Sequence, residues 1–200
     1  MGTLSKSDSV KGMLFIAVFG LLALAASTAA AQQQEKHQAM VQGGDTRLNY
    51  FLGTWKIDRT LQPSIYGPGG KAEGTMKCDW AIKGLVMTCT SEGTWPFGQG
   101  DTKGKMQVLQ VIEYRPATKN YSLFTFDNSG DAESMIGSVE GDTWTFRSAE
   151  KVQGKTVNAM WTFKEEGKGG LSTRFKVSTE GVTALRAAKP VAEGRNQKIE

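Results

Sequence analysis

The chain has 200 residues, 39% of them hydrophobic and 22% charged, with a formal net charge of +4 and a pI near 9.0. Its charges are interspersed, with no long basic block and no interleaving of aromatic and basic residues, so no nucleic-acid partner is expected. A mild positive excess serves solubility, and the length suits one domain able to bury a core.

The N-terminus reads as an export signal. Lys6 and Lys11 precede an uncharged apolar run, Met13 to Ala26, and Ala29 and Ala31 form a small-residue exit before Gln32. That order describes a cleaved signal peptide over residues 1–31, with cleavage near Ala31 and a periplasmic or secreted product. The apolar run falls short of the roughly 20 residues that cross a bilayer, so no membrane span is expected after cleavage. Cleavage removes Lys6, Lys11 and Asp8 and leaves a charge of +3. Residues 32–46 form a polar linker holding His37, the only histidine. Residues 47–188 are read as a β-barrel domain. Residues 189–200 have no apolar period and are read as a flexible tail.

From Gly53 the apolar period is two. "TWKI" alternates. "GTMKCDWAI" puts Met76, Cys78, Trp80 and Ile82 on one face. "KMQVLQVIEY" puts Met106, Val108, Ile112 and Tyr114 on one face, with Gln110 the exception; Leu109 and Val111 on the other predict cover on both sides. The later runs "NYSLFTFD", "DTWTFRS", "TVNAMWTFK" and "LSTRFKVS" are rich in aromatic and β-branched residues, as strands are. Glycine-bearing turns such as "IKGL", "VEGDT" and "EEGKGG" separate them. The gaps are too short for helical crossovers, which excludes a parallel sheet. About nine to ten antiparallel strands without covering helices favour an up-and-down barrel, because closure removes exposed edges. A sandwich is the alternative.

A two-residue turn at Lys83–Gly84 would place Ile82 opposite Leu85, Trp80 opposite Met87 and Cys78 opposite Cys89. Side chains of such a pair lie within reach of a bridge, and the export signal implies an oxidising compartment. A Cys78–Cys89 disulfide is therefore expected, with two buried free thiols as the alternative. The register makes the pair hydrogen-bonded, the less accommodating geometry.

No catalytic residue set emerges. A histidine in a linker is badly placed to serve a nucleophile. One histidine and two paired cysteines cannot supply a zinc site or a histidine-ligated haem, so no metal or cofactor is expected. "GPGGKAEGT" fails the phosphate-loop pattern, because Ala72 follows Lys71. What remains is an apolar interior. The pocket candidates are Trp55, Trp80, Met87, Met106, Tyr114, Phe124, Trp144 and Trp161. Barrels of this size either fill with side chains or hold a small ligand.

"LNYFLGTWKID", "CDWAIKGLVMTC", "VIEYRPATKNYSLFTFDNSG" and "GSVEGDTWTF" follow one another in this order. Together they resemble an uncharacterised bacterial family, domain of unknown function 1579 (DUF1579), over roughly Leu48 to Phe163. Arg115 stands where that family usually has Asp, and the match loosens after Lys164. The family is similar to lipocalin and nitrobindin-like calycin barrels, which begin on Gly-X-Trp. That resemblance implies that Gly53 and Trp55 close one barrel end beneath a late arginine, Arg174 or else Arg186, in a cation–π contact. The late haem histidine of nitrobindin-like proteins has no counterpart.

The expected function is non-catalytic binding or carriage of a small apolar molecule. The alternatives are a structural or interaction protein of the cell envelope with a filled barrel, and an isomerase- or cyclase-type enzyme using a group such as Tyr114. Oligomeric state is left open.

Overall fold

The structure, a computed structural model, describes residues 45–65, 67–96, 103–152 and 154–199. The expected signal peptide and most of the linker, His37 included, lie outside the described residues. A 3-10 helix, Thr46–Phe51, is followed by β1 Gly53–Leu61, β2 Gly70–Ile82, β3 Val86–Thr94, β4 Met106–Arg115 and β5 Asn120–Asp127. The second half holds β6 Ala132–Glu140, β7 Thr143–Val152, β8 Lys155–Glu166 and β9 Gly170–Ser178, then a short helix α1, Val182–Ala187, and β10 Ala192–Lys198. Each strand pairs antiparallel with the next, and β10 pairs with β1, so the sheet closes into a ten-stranded up-and-down barrel.

Alternation sorts the side chains. Trp55 and Ile57 on β1 point inward, while Lys56 and Asp58 point out. At the capped end, the 3-10 helix plugs the barrel with Leu48 and Phe51. Asp45 accepts the Arg47 backbone N–H at 2.8 Å and so caps that helix. The polar segment therefore gives way to structure at its last residues. The Phe51 ring meets Trp144 edge-on at 5.0 Å. The Trp55 indole donates to the Phe51 carbonyl at 2.7 Å. Beneath them Met76, Met87, Leu123, Met135 and Phe146 fill the cross-section. Gly137 faces Phe146 across the β6–β7 pair. A Cβ there would lie 2.4 Å from the Phe146 ring, so only glycine lets the ring lie flat on the wall.

The cysteine pairing is present: Cys78 and Cys89 are direct cross-strand partners joined by a disulfide, both buried. The turn differs from the expectation. Ile82 pairs with Val86, the ladder shifts between Trp80 and Ile82, and the turn spans 83–85. The irregularity absorbs one residue and leaves the Cys78–Cys89 register intact. The pair's Cα atoms are 4.0 Å apart, nearer to the close, non-hydrogen-bonded kind of pair than to the wide one.

Two further expectations are corrected. The segment from Lys189, read as a flexible tail outside a barrel ending at 188, supplies the strand that closes the barrel. "AEGRNQK" has no apolar period, yet its backbone pairs with β1 on one side and β9 on the other. The outer face of β4 is not covered at Leu109, which pairs with Phe126 on the outer surface, both exposed; Val111 is half-buried.

Candidate ligand-binding site

The other end of the barrel is the open end. It carries the β1–β2 loop, the β9–β10 connection with α1, and the first residues of β2, β4, β6, β8 and β10. Small inner-wall residues there, Ala72, Ala159 and Ala192, are buried. Several larger ones keep partial solvent access: Arg59, Val108, Gln110, Thr125, Trp161, Phe175 and Val177. The capped half is thus filled, and the open half is closed less tightly, although Met106 and Val157 there are also buried.

Arg59 continues the inward series of Trp55 and Ile57 on β1. Its cross-strand partners are Ala72 on one side and Gly194 on the other, both small. A Cβ at position 194 would lie 2.6 Å from the Arg59 Cγ and 2.2 Å from the Asp58 carbonyl oxygen. The guanidinium lies 5.3 Å from the centre of the Trp161 ring, in a cation–π contact. Trp161 in turn stacks on Phe175 at 4.5 Å. Burial pushes the Arg59 pKa down to about 10, so the group is still a cation at neutral pH. Its Nε is buried without a hydrogen-bond partner, and it takes part in none of the ion pairs among the described residues.

Two polar side chains share this wall. Asn196 on β10 is 1% exposed, and neither its Oδ1 nor its Nδ2 has a partner. Thr173 on β9, partner of Gly194, is equally buried, and its hydroxyl reaches only the Gly194 carbonyl, at 3.5 Å. Glu133 on β6 accepts a hydrogen bond from the Ser148 hydroxyl at 2.5 Å. Burial raises the Glu133 pKa, the Ser148 bond offsets part of this, and the charge of Glu150 adds to the rise.

At the open end, a cleft of about 540 Å³ lies between the β1–β2 loop and α1. Val157 and Val177 belong to its lining, with Ile65, Ala184 and Ala188 among its apolar walls and Ser64, Thr179 and Glu180 among its polar groups. A void of only about 20 Å³ remains in the filled half, among Phe51, Met76, Ile112, Leu123 and Phe146. Among the described residues no group of His, Cys, Asp and Glu could hold a metal ion, and no helix is long and apolar enough to cross a membrane.

The sequence-derived candidates divide among several places. Trp55, Met87, Met106 and Trp144 are buried core. Trp80 and Tyr114 stand at the capped rim, where the Trp80 indole donates to the Asn49 side chain at 3.1 Å and Tyr114 meets Tyr121. Phe124 is on the outer wall, opposite Val111 and Ser134, and is not a pocket residue. Trp161 alone of the set lies against Arg59. Arg174 does not cover Trp55. It points outward, its side chain 67% exposed, and pairs with Glu193. Arg186 is on α1, towards the open end. Lys198 takes the covering place, its Nζ 5.6 Å from the Trp55 ring centre, and Arg47 does the same over Trp144 at 5.7 Å. Sequence reasoning missed Arg59 although it keeps step with Trp55 and Ile57. Asn196 and Thr173 carried no such signal.

No family model matches the chain, and no curated protein matches it. Among solved structures the chain is similar to a de novo designed fluorescence-activating β-barrel, at 15% identity and a TM-score of 0.40, over 75% of this chain and 94% of that chain.

Proposed function

We propose that this protein binds a small organic molecule without catalysing a reaction, and that the molecule enters the open half of the barrel. The observation that carries this reading is the contrast between the two halves. Below a filled, capped half, several large inner-wall side chains of the open half keep partial solvent access, and a cleft of about 540 Å³ lies at its rim. That volume falls within the roughly 300–1,000 Å³ of small-molecule sites. Closed barrels of this strand number use their mouths in this way.

We further propose that the chain is exported, to the periplasm or the medium, and belongs with DUF1579 and its lipocalin-like relatives. The apolar run at Met13–Ala26 supports export. The Cys78–Cys89 bridge suits an oxidising compartment.

The test is titration with the neutral fluorophore N-phenyl-1-naphthylamine, together with native mass spectrometry of protein purified from its own compartment. Saturable binding that falls at least tenfold in Ala184→Trp, which narrows the cleft, is the expected result. An absence of saturable binding, with no small molecule retained in native spectra, overturns the reading. The second reading, a scaffold or interaction protein of the envelope, is favoured by the void of only about 20 Å³ in the filled half. It expects that negative result and a stable protein partner.

A further inference from the structure

We infer that the molecule this barrel holds is an organic anion, its acidic group seated between Arg59, Asn196 and Thr173 and its apolar body against Trp161 and Phe175. The inference rests on the binding reading above and adds the chemical class of the ligand.

Buried polar groups in folded proteins are almost always hydrogen-bonded, and those that are not call for an explanation. Two neighbouring side chains break that rule on one inner wall. Asn196 is 1% exposed with both amide atoms unpartnered, and the Arg59 Nε is buried and unpartnered. Ile57 is the direct partner of Asn196, and Gly194 that of Arg59, so Arg59 and Asn196 are diagonal neighbours on the inner face. Such diagonal positions are about 7–8 Å apart, within the span of an arginine side chain. Thr173 lies on the same row as Arg59, with only the side-chain-free Gly194 between them.

The chemistry of the set is that of an anion receptor. Guanidinium N–H and amide N–H donate, the first from a permanent cation, and the Thr173 hydroxyl can turn its proton from its long 3.5 Å bond to the Gly194 carbonyl to an anion. A carboxylate or sulfonate has a planar or tetrahedral array of oxygens that a guanidinium meets with parallel hydrogen bonds. The Arg59 Nε is buried and unpartnered, and a half-buried guanidinium gains from a counter-charge brought against it. Among the described residues, Glu133 is engaged with Ser148, and no ion pair includes Arg59. The stacked Trp161 and Phe175 rings beside the guanidinium offer an apolar wall for the rest of the ligand.

The test compares two probes with one aromatic body. 1-Anilinonaphthalene-8-sulfonate is anionic, and N-phenyl-1-naphthylamine is its neutral counterpart. Wild type is expected to bind the sulfonate at least tenfold more tightly. Arg59→Met should remove that advantage, so that the sulfonate binds no more tightly than the neutral probe. Asn196→Asp places an internal carboxylate beside Arg59. It should raise the unfolding temperature while weakening the sulfonate at least tenfold. Circular dichroism confirms that each variant is folded. If a variant fails to fold, displacement of the sulfonate from wild type by decanoate but not by decanol decides the matter on the unaltered protein. Equal affinity for the two probes, or sulfonate binding unchanged in folded Arg59→Met, overturns the anion site and leaves the binding reading intact. Failure of both probes to bind overturns both.

Discussion

Lys198 stands directly opposite Trp55 across the β1–β10 seam, its ammonium 5.6 Å from the centre of the indole. The contact joins the first strand to the last, at the line where the barrel closes. The same tryptophan is fully buried and bonded to the Phe51 carbonyl, so seam, cap and core meet at one side chain.

Trp55→Ala should therefore cost about 3–5 kcal/mol, the range for truncating a buried aromatic. Lys198→Met should cost only about 0.5–1 kcal/mol, the size of a partly exposed cation–π contact. Chemical denaturation of the two variants measures both; equal costs would show that the cap does not depend on the indole. A chain ending at Lys189 removes β10 and leaves β1 and β9 as bare edges. Bare edges invite strand pairing between chains, so it should lose its cooperative thermal transition and aggregate.

Reducing the Cys78–Cys89 bridge should lower stability by less than the roughly 3 kcal/mol that closing a free loop of similar length contributes. The β2–β3 hairpin already holds the two ends together. Unfolding scans with and without reductant, and of Cys78→Ala/Cys89→Ala, provide the number. A loss much above that figure would mean that the hairpin does not form without the bridge.

Gly137→Ala should destabilise by about 1–3 kcal/mol, as overpacking does. The added methyl would meet the Phe146 ring at 2.4 Å. Combining it with Phe146→Leu should recover part of the loss, because the two changes share one contact. Strict additivity in the double-mutant cycle would refute that coupling.

Stability should fall as pH rises from about the ordinary glutamate value of 4.5 towards neutrality, in part through Glu133. The sign follows from proton counting. Burial raises the folded pKa above the unfolded one, so between the two the native state holds more protons than the unfolded chain. Stability then decreases with pH across that window. Glu133→Gln should flatten this part of the profile and stabilise the protein at pH 7. An unchanged profile from urea titrations at several pH values would remove Glu133 as its source.

Much of the barrel is legible in the sequence. Trp55, Met76, Cys78, Met87 and Ile112 announce their inward faces by alternation, because a strand with one buried face must repeat every second residue. The cysteine register follows from the hairpin by the same logic, and it survived a turn one residue longer than expected. β10 was illegible for a physical reason. Its inward positions are Ala192, Gly194 and Asn196. A strand whose backbone is claimed on both sides by β1 and β9 needs no apolar stripe of its own. The cation over Trp55 was misassigned because Arg174 falls on an outward position of β9, and only the strand register reveals which late residue faces the indole.

The sequence by itself determined the all-β class, the antiparallel order and the facing of Cys78 and Cys89. Those depend on period, turn chemistry and short-range pairing, which are written along the chain. Tertiary structure decided which half of the barrel is filled, that a polar C-terminal strand closes it, and that Arg59, Thr173 and Asn196 gather on one inner wall. Those three residues come from strands at opposite ends of the folded sequence. Closure of the barrel brings β10, with β9 behind it, against β1, and nothing in the spacing of the residues records that.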